Sequence, residues 1–278
     1  GNPPFNKEKK ESYSGSTSNK ELWLDFSLLS IDILKDNGYL LFIHPQNWRG
    51  LGPKFRNLWE LIKKYQLHFL HIFNKKDGKK YFNAGTRFDL YIFQKKKNFK
   101  KSVILDEMSK VHQIDLKKLD FLPNYNIKKI NKIITNEKNG INVIYDTKYH
   151  TQKPSSSKFS KWHMKNTHAP KGNFKYPVVH TITLKGLGLW HTNDKSKGHF
   201  GIKKVLLNKN RHQYPYNDYK GEYGMTQLTF GIPISSKKEG DLIVNAINTP
   251  EFKDIIKATK WGAFETDWRM FKYFLRIF

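Results

Sequence analysis

Apolar positions in the first hundred residues switch between a helical period and short unbroken runs. Leu22, Phe26, Leu29, Ile33 and Leu34 recur at helical spacing, with Asn19 as a candidate N-cap and Asn37-Gly38 as the stop. Tyr39-Leu40-Leu41-Phe42-Ile43 follows, a run expected of a strand buried on both faces by flanking helices. His44-Pro45-Gln46-Asn47-Trp48 ends that strand. Phe55, Leu58, Trp59, Ile62 and Tyr65 make a second helical stripe, and Leu67 to Phe73 a second strand. A Lys- and Gly-rich stretch, expected to be a loop, leads through Tyr81-Phe82-Asn83-Ala84-Gly85-Thr86 into a strand over Phe88 to Phe93. Helices alternating with strands predict an open α/β sheet, and such sheets bind ligands at their carboxyl edge.

Beyond Lys95 the pattern is less regular. The composition turns strongly basic between Lys95 and Lys101, which places a domain boundary near residue 98. Ser102 to Glu107, Ile127 to Ile134 and Ile141 to Tyr145 read as strand, helix and strand. The polar stretch around His150 to Ser160, with Pro154-Ser155-Ser156-Ser157, reads as a loop or a mobile clamp. Alternation returns over Pro177 to Leu207, as in Val178 to Leu184, and predicts a small mixed α/β or twisted-sheet module. Lys238-Glu239-Gly240 opens an amphipathic helix carrying Leu242, Ile243, Ala246 and Ile247, and Thr249-Pro250 begins another through Phe252, Ile255 and Ile256. The aromatic residues Trp261, Phe264, Trp268, Phe271, Tyr273 and Phe274 near the C-terminus are expected to be core.

Charge narrows the class of partner. Of 278 residues, 50 are Lys or Arg and 24 Asp or Glu, a formal net charge of +26, too large an excess to be neutralised internally. A polyanion is the natural partner, and nucleic acid fits best. Lys161, Trp162, Trp190, His191, Lys195, Lys197, Arg211, His212, Tyr214 and Tyr216 combine cations with flat stacking groups and are the candidate DNA contacts. No apolar run is long enough to span a membrane, and no secretory signal pattern is present. With no cysteine, the chain has no thiolate for covalent attack on a base, no disulfide and no thiolate metal site, as a reducing cytoplasm would allow. His163 and His168 lack partners at a zinc spacing, so no metal is expected. Gly186-Leu187-Gly188 lacks the strand-to-helix setting of a nucleotide loop, and Asp241 with Glu251 and Lys253 falls in helical sequence rather than in a nuclease centre.

The chemistry-bearing motif is Asn2-Pro3-Pro4-Phe5. An exocyclic base amine is a poor nucleophile because its lone pair is delocalised into the ring. The Asn2 side-chain oxygen and the Pro3 carbonyl can accept both N–H bonds of such an amine, and Phe5 can stack on a base taken out of its helix.

With this motif and the order of elements after it, residues from Asn2 to about Lys96 resemble the second half of the catalytic domain of adenine-N6 DNA methyltransferases of the restriction-modification type. Gly221 to Gln227 and Thr266 to Phe271 are similar to the target-recognition regions of the same methylases. The resemblance implies an α/β fold, the second half of a doubly wound Rossmann-like methyltransferase sheet over 1–98, followed by a mixed α/β target-recognition domain over 99–278. It implies Asn2, Pro3, Pro4 and Phe5 as the catalytic loop, and Phe82 as the aromatic facing the flipped base opposite Phe5, with Tyr81 as the competing candidate. The implied methyl donor is S-adenosylmethionine, and the glycine-rich turn and acidic residue that hold it in the family are expected upstream of Gly1. The chain is therefore expected to be a C-terminal fragment or split half, acting with that N-terminal segment in cis or in trans, on double-stranded DNA, in the cytoplasm and beside a cognate restriction endonuclease. A noncatalytic sequence-specific DNA-binding subunit and an RNA methyltransferase are the alternatives.

Overall fold

The computed structural model describes residues 1–4, 21–97, 100–146, 164–165, 169–209, 214–262 and 266–275. The chain divides into two compact units, Gly1–Ile130 with Ala258–Ala263, and Asn131–Lys257 with Phe264–Phe278.

The first unit contains α1 (Leu22–Ile33), β1 (Tyr39–Pro45), a 3-10 turn over Gln46–Arg49, α2 (Arg56–Lys64), β2 (Tyr65–Phe73), α3 (Lys75–Phe82), β3 (Phe88–Lys97), β4 (Ser102–Leu105), β5 (Val111–Ile114) and α4 (Ile127–Ile133), the last reaching past the unit boundary. Its five strands lie in the order β1-β3-β2-β4-β5. β3 runs antiparallel to both neighbours, β4 is parallel to β2, and β5 returns antiparallel to β4. The expected boundary at residue 98 falls between two strands of this one sheet, and the compact unit extends to Ile130.

The core forms where the stripe of α2 meets the sheet. Leu58, Trp59 and Ile62 are buried with Leu67, Leu70, Tyr91, Phe93 and Ile104. Two expectations change here. The helix α1 is placed as its period suggests, but Trp23, Leu24, Ser27 and Ile31 face the core, whereas Phe26, Leu29 and Ile33 are exposed, Ile33 at 73%. Apolar residues surround this helix, so periodicity could not choose the face. β1 is likewise an edge strand of the described sheet, with Phe42 and His44 buried and Tyr39 and Leu41 exposed, rather than buried on both faces. Asn19 lies outside the described residues; the N-cap position of α1 is Glu21, with no side-chain cap.

The segment expected to be a loop is α3. The Asn74 side chain accepts the N–H of Lys76 and of Asp77, and the Asp77 carboxylate accepts the Asn74 N–H at 3.0 Å, a reciprocal capping box. Asn83, left-handed at φ 50°, ends the helix.

The second unit contains β6 (Met164–Lys165), β7 (Tyr176–Thr183), β8 (Gly186–Thr192), β9 (Lys204–Asn208), β10 (Tyr216–Asp218), β11 (Gly224–Met225), β12 (Thr229–Pro233), α5 (Lys237–Asn248) and α6 (Pro250–Ala258), whose last residue belongs to the first unit. Its sheets have the orders β10-β9-β12 and β11-β7-β8-β6. Ile141 to Tyr145 is not a strand; only Ile144 bridges, to Gly231. α5 buries Ile243 and Ile247 as its pattern requires, and the Thr249 hydroxyl caps α6 by accepting the Phe252 N–H at 3.2 Å. Phe271 and Phe274 pack with Phe230 and Phe252 in the core.

Candidate functional site at the carboxyl edge of the first sheet

Pro45 at the end of β1 and Phe73 at the end of β2 both pair with Phe88 at the start of β3, so three strands converge at one sheet edge. The opening residues of the chain arrive there. The Gly1 amino group donates to the Leu41 carbonyl, and the Ile43 N–H donates to the Gly1 carbonyl at 3.1 Å. Two bonds straddling Phe42 in this way are a parallel pairing of Gly1 with β1. The approach is close: a Cβ on Gly1 would lie 2.8 Å from the Phe42 ring, which would have to shift to admit it. Pro3 is buried, whereas Asn2 and Pro4 are exposed.

Phe82, the last residue of α3, is half-buried and meets the Phe88 ring edge-on at 4.8 Å, which puts it at that edge too. Tyr81 is exposed, edge-on to Phe73 at 6.2 Å and beneath the Lys80 ammonium at 5.1 Å. Phe5 lies outside the described residues.

At the ends of β1 and α1 is a cleft of about 170 Å3 lined by Trp23, Gln46, Asn47, Lys75, Thr86, Arg87 and Trp261, with Glu21 and Pro45; Asn2, Pro3, Pro4, Tyr81 and Phe82 do not line it. Its walls are fixed by polar bonds. The Gln46 amide donates to the Trp261 carbonyl, and the Trp261 indole donates to the Leu122 carbonyl at 2.8 Å. Arg87 is held by both oxygens of Glu107, at 2.6 and 2.9 Å. Sequence reasoning did not single out Trp23, Lys75, Arg87 or Trp261 as lining residues. Pro45, Gln46 and Asn47 belong to the strand end that the sequence places at the ligand-binding edge of such a sheet, whereas Trp261 carries no local signal.

Behind the cleft is a buried polar layer. Arg49 donates to both oxygens of Asp89 at 2.7 and 3.1 Å, to the carbonyls of Leu122 and Pro123, and to Gln46 and Asn124. Burial pushes the Asp89 carboxyl up from its ordinary range, and the Arg49 guanidinium opposes that shift. His44 stacks on Trp23 at 4.5 Å, with Nδ1 2.9 Å from the Pro45 carbonyl and Nε2 3.1 Å from the Tyr91 hydroxyl. A carbonyl can only accept, so Nδ1 carries the proton and the hydroxyl donates to Nε2. Burial lowers the His44 pKa to about 4, against the opposing Pro45 bond, and pushes the Tyr91 hydroxyl up.

S-adenosylmethionine does not fit this cleft, whose 170 Å3 falls below the ~300–1,000 Å3 of pockets that enclose drug-sized ligands. Among the described residues no group of three His, Cys, Asp or Glu could hold a metal, and no helix is long and apolar enough to cross a membrane.

The candidate DNA contacts divide in the second unit. Lys195 is exposed, with its ammonium 4.5 Å from the Tyr176 ring, and Lys197 is half-buried. Trp190 is half-buried and stacks on His180 at 4.4 Å. His191 is 3% exposed within β8, which removes it as a surface contact. Tyr214 and Tyr216 pack against the core cluster of Val179, Ile182, Leu206 and Met225. Lys161, Trp162, Arg211 and His212 lie outside the described residues.

The class defined by this geometry is a mixed α/β protein with its candidate site at the carboxyl edge of a sheet. Residues 1–82 match the family model of the Eco57I restriction-modification methylase. Among solved structures, the chain is similar to the type IIL restriction-modification enzyme MmeI in complex with DNA, with 12% identity, 85% of this chain and 40% of that one covered, and a TM-score of 0.41. A modification subunit of a putative type I restriction enzyme from Vibrio vulnificus YJ016 matches at 16% identity, covering 37% of this chain and 24% of that one, with a TM-score of 0.30. A chain of a type I restriction-modification system matches at 18% identity over 37% and 22%, with a TM-score of 0.29. This chain thus spans less than half the length of each of these structures. A search of curated proteins finds no match.

Proposed function

We propose that this chain supplies the base-binding and DNA-recognition parts of a restriction-modification DNA methyltransferase that methylates adenine at N6, with S-adenosylmethionine as the donor. In this reading the first unit is the second half of a Rossmann-like methyltransferase domain and the second unit contributes to target recognition. The observation supporting it is the pairing of Gly1, next to the Asn-Pro-Pro motif, alongside Phe42 of β1, the strand that ends at the sheet edge near Phe82, within the residues 1–82 that match the methylase family model. There the Asn2 side-chain oxygen and the Pro3 carbonyl accept the two N–H bonds of a flipped adenine amine. These bonds strengthen as the nitrogen becomes tetrahedral, so they favour the transition state over the bound base. Phe5 and Phe82 sandwich the ring. The net charge of +26 supports a duplex partner, with Lys195 and Lys197 among its phosphate contacts.

The test uses a strain expressing the native gene, with modified nucleosides measured in digested genomic DNA. N6-methyladenine is expected, and Asn2→Ala should lower it about 100-fold, the scale of losing one preorganised transition-state hydrogen bond. Duplex affinity of the purified protein should change little. Undiminished methylation in Asn2→Ala would remove the assignment, and N4-methylcytosine in place of N6-methyladenine would correct the target base.

A further inference from the structure

We propose that the β7–β8 ribbon enters a groove of double-stranded DNA and that Leu184 at its tip wedges between adjacent base pairs. The partner rests on the DNA reading above; the element and the wedge rest on the following geometry. The two strands pair from Tyr176↔Thr192 to Thr183↔Gly186, so only Leu184 and Lys185 close the turn. The tip is held in shape. The Thr183 hydroxyl accepts the Lys185 N–H at 3.2 Å and donates to the Gly186 carbonyl at 3.1 Å, and Gly186 takes φ 113°, a conformation L side chains rarely adopt.

Leu184 is 84% exposed, more than any other large apolar residue among those described. A lone exposed leucine on a flat surface needs no explanation. This one projects from the end of a two-stranded ribbon, an element that a DNA groove admits, and proteins that kink duplexes insert apolar side chains of this size between base steps.

The rest of the ribbon holds the tip in place. One face, with Val179, Ile182, Leu187 and Leu189, packs on the core and anchors the ribbon. On the other, His180 stacks on Trp190, which packs with Phe200 against the buried Val178, and Tyr176 lies beneath Lys195, so this face is partly covered and the tip is what the ribbon offers to DNA. The register shift between Val179 and Thr181 places His180 at an irregularity in the ladder, where it lies over Trp190 with ring planes only 7° apart. Lys185 is exposed at the tip, and Lys175 and Lys195 are exposed just beyond the strand ends at the base, cations available to phosphates at either end of the ribbon.

Unstacking a base step unwinds DNA, so the proposal is tested by relaxing a circular plasmid with topoisomerase in the presence of the full chain and reading its linking number. The wild type should lower the linking number. Leu184→Ala should lose at least about half of that shift while binding the plasmid within about threefold of wild type, because phosphate contacts carry most of the affinity. Leu184→Phe should keep the shift. Lys185→Ala should weaken binding and lower the salt slope by about one, as expected for one lost phosphate contact. Binding without any change in linking number, or an undiminished shift in Leu184→Ala, would overturn the wedge and leave the DNA reading standing. Absence of salt-sensitive plasmid binding at low salt would overturn both.

Discussion

Each unit buries a cation, and the two sites are built differently. In the first, Arg49 spreads its donors over the β1 exit turn, the start of β3 and the Leu122–Asn124 segment, tying together stretches far apart in sequence. In the second, Lys204 uses its ammonium on Asp218 at 2.9 Å and on the carbonyls of His199, Ile202 and Tyr223, all within twenty residues. A planar guanidinium with five donors can join several segments in fixed directions, whereas an ammonium is a point charge that gathers nearby carbonyls. The lesson concerns relief as well as geometry. Arginine cannot shed its proton, but burial lowers the Lys204 pKa while Asp218 opposes the shift, so the lysine retains an escape from an uncompensated charge.

The largest expected effect follows from that contrast. Arg49→Met leaves Asp89 buried without its guanidinium and should cost about 3–5 kcal/mol in chemical denaturation. Lys204→Met should cost less, roughly 2–3 kcal/mol on the same scale, because Asp218 still accepts the N–H of Glu222 and Tyr223. Equal losses would break the comparison.

The next effect is a pH dependence rooted in the first unit. The His44 pKa is depressed to about 4 from 6.5, so the unfolded chain binds more protons than the folded one between those values. The stability contributed by neutral His44 is complete above pH 6.5 and lost as the pH falls toward 4, about 3 kcal/mol in all. In His44→Phe the acid limb of the stability profile should flatten over that window. An unchanged slope would assign the acid sensitivity to other groups.

The smallest effect sharpens the account of α3. Asn74→Ala removes both N-terminal acceptor bonds and should cost about 1 kcal/mol, read as faster amide exchange over residues 75–82. If exchange there does not change, contacts with the strands rather than the cap hold this helix.

Local chemistry settled a good deal. The spacing of Leu58, Trp59 and Ile62, and of Ile243 and Ile247, places α2 and α5 because a 3.6 period has one buried solution when the opposite face is polar. The same rule failed for α1, which is apolar on every side, and its buried residues are Trp23, Leu24 and Ile31. Composition misled at α3, where Lys and Gly suggested a loop; Asn74 and Asp77 at capping-box spacing were the available sign of a helix. The sequence by itself determined the Asn-Pro-Pro motif, the net charge of +26 and the positions of β1, β2, β3, β4 and β7, since these depend on residue type and short spacing. Only the tertiary structure decided that β4 joins the first sheet, that His191 is buried, and that Trp261 helps wall the cleft beside Gln46. Trp261 lies 215 residues from Gln46, and their meeting depends on chain closure and packing that no short-range period encodes.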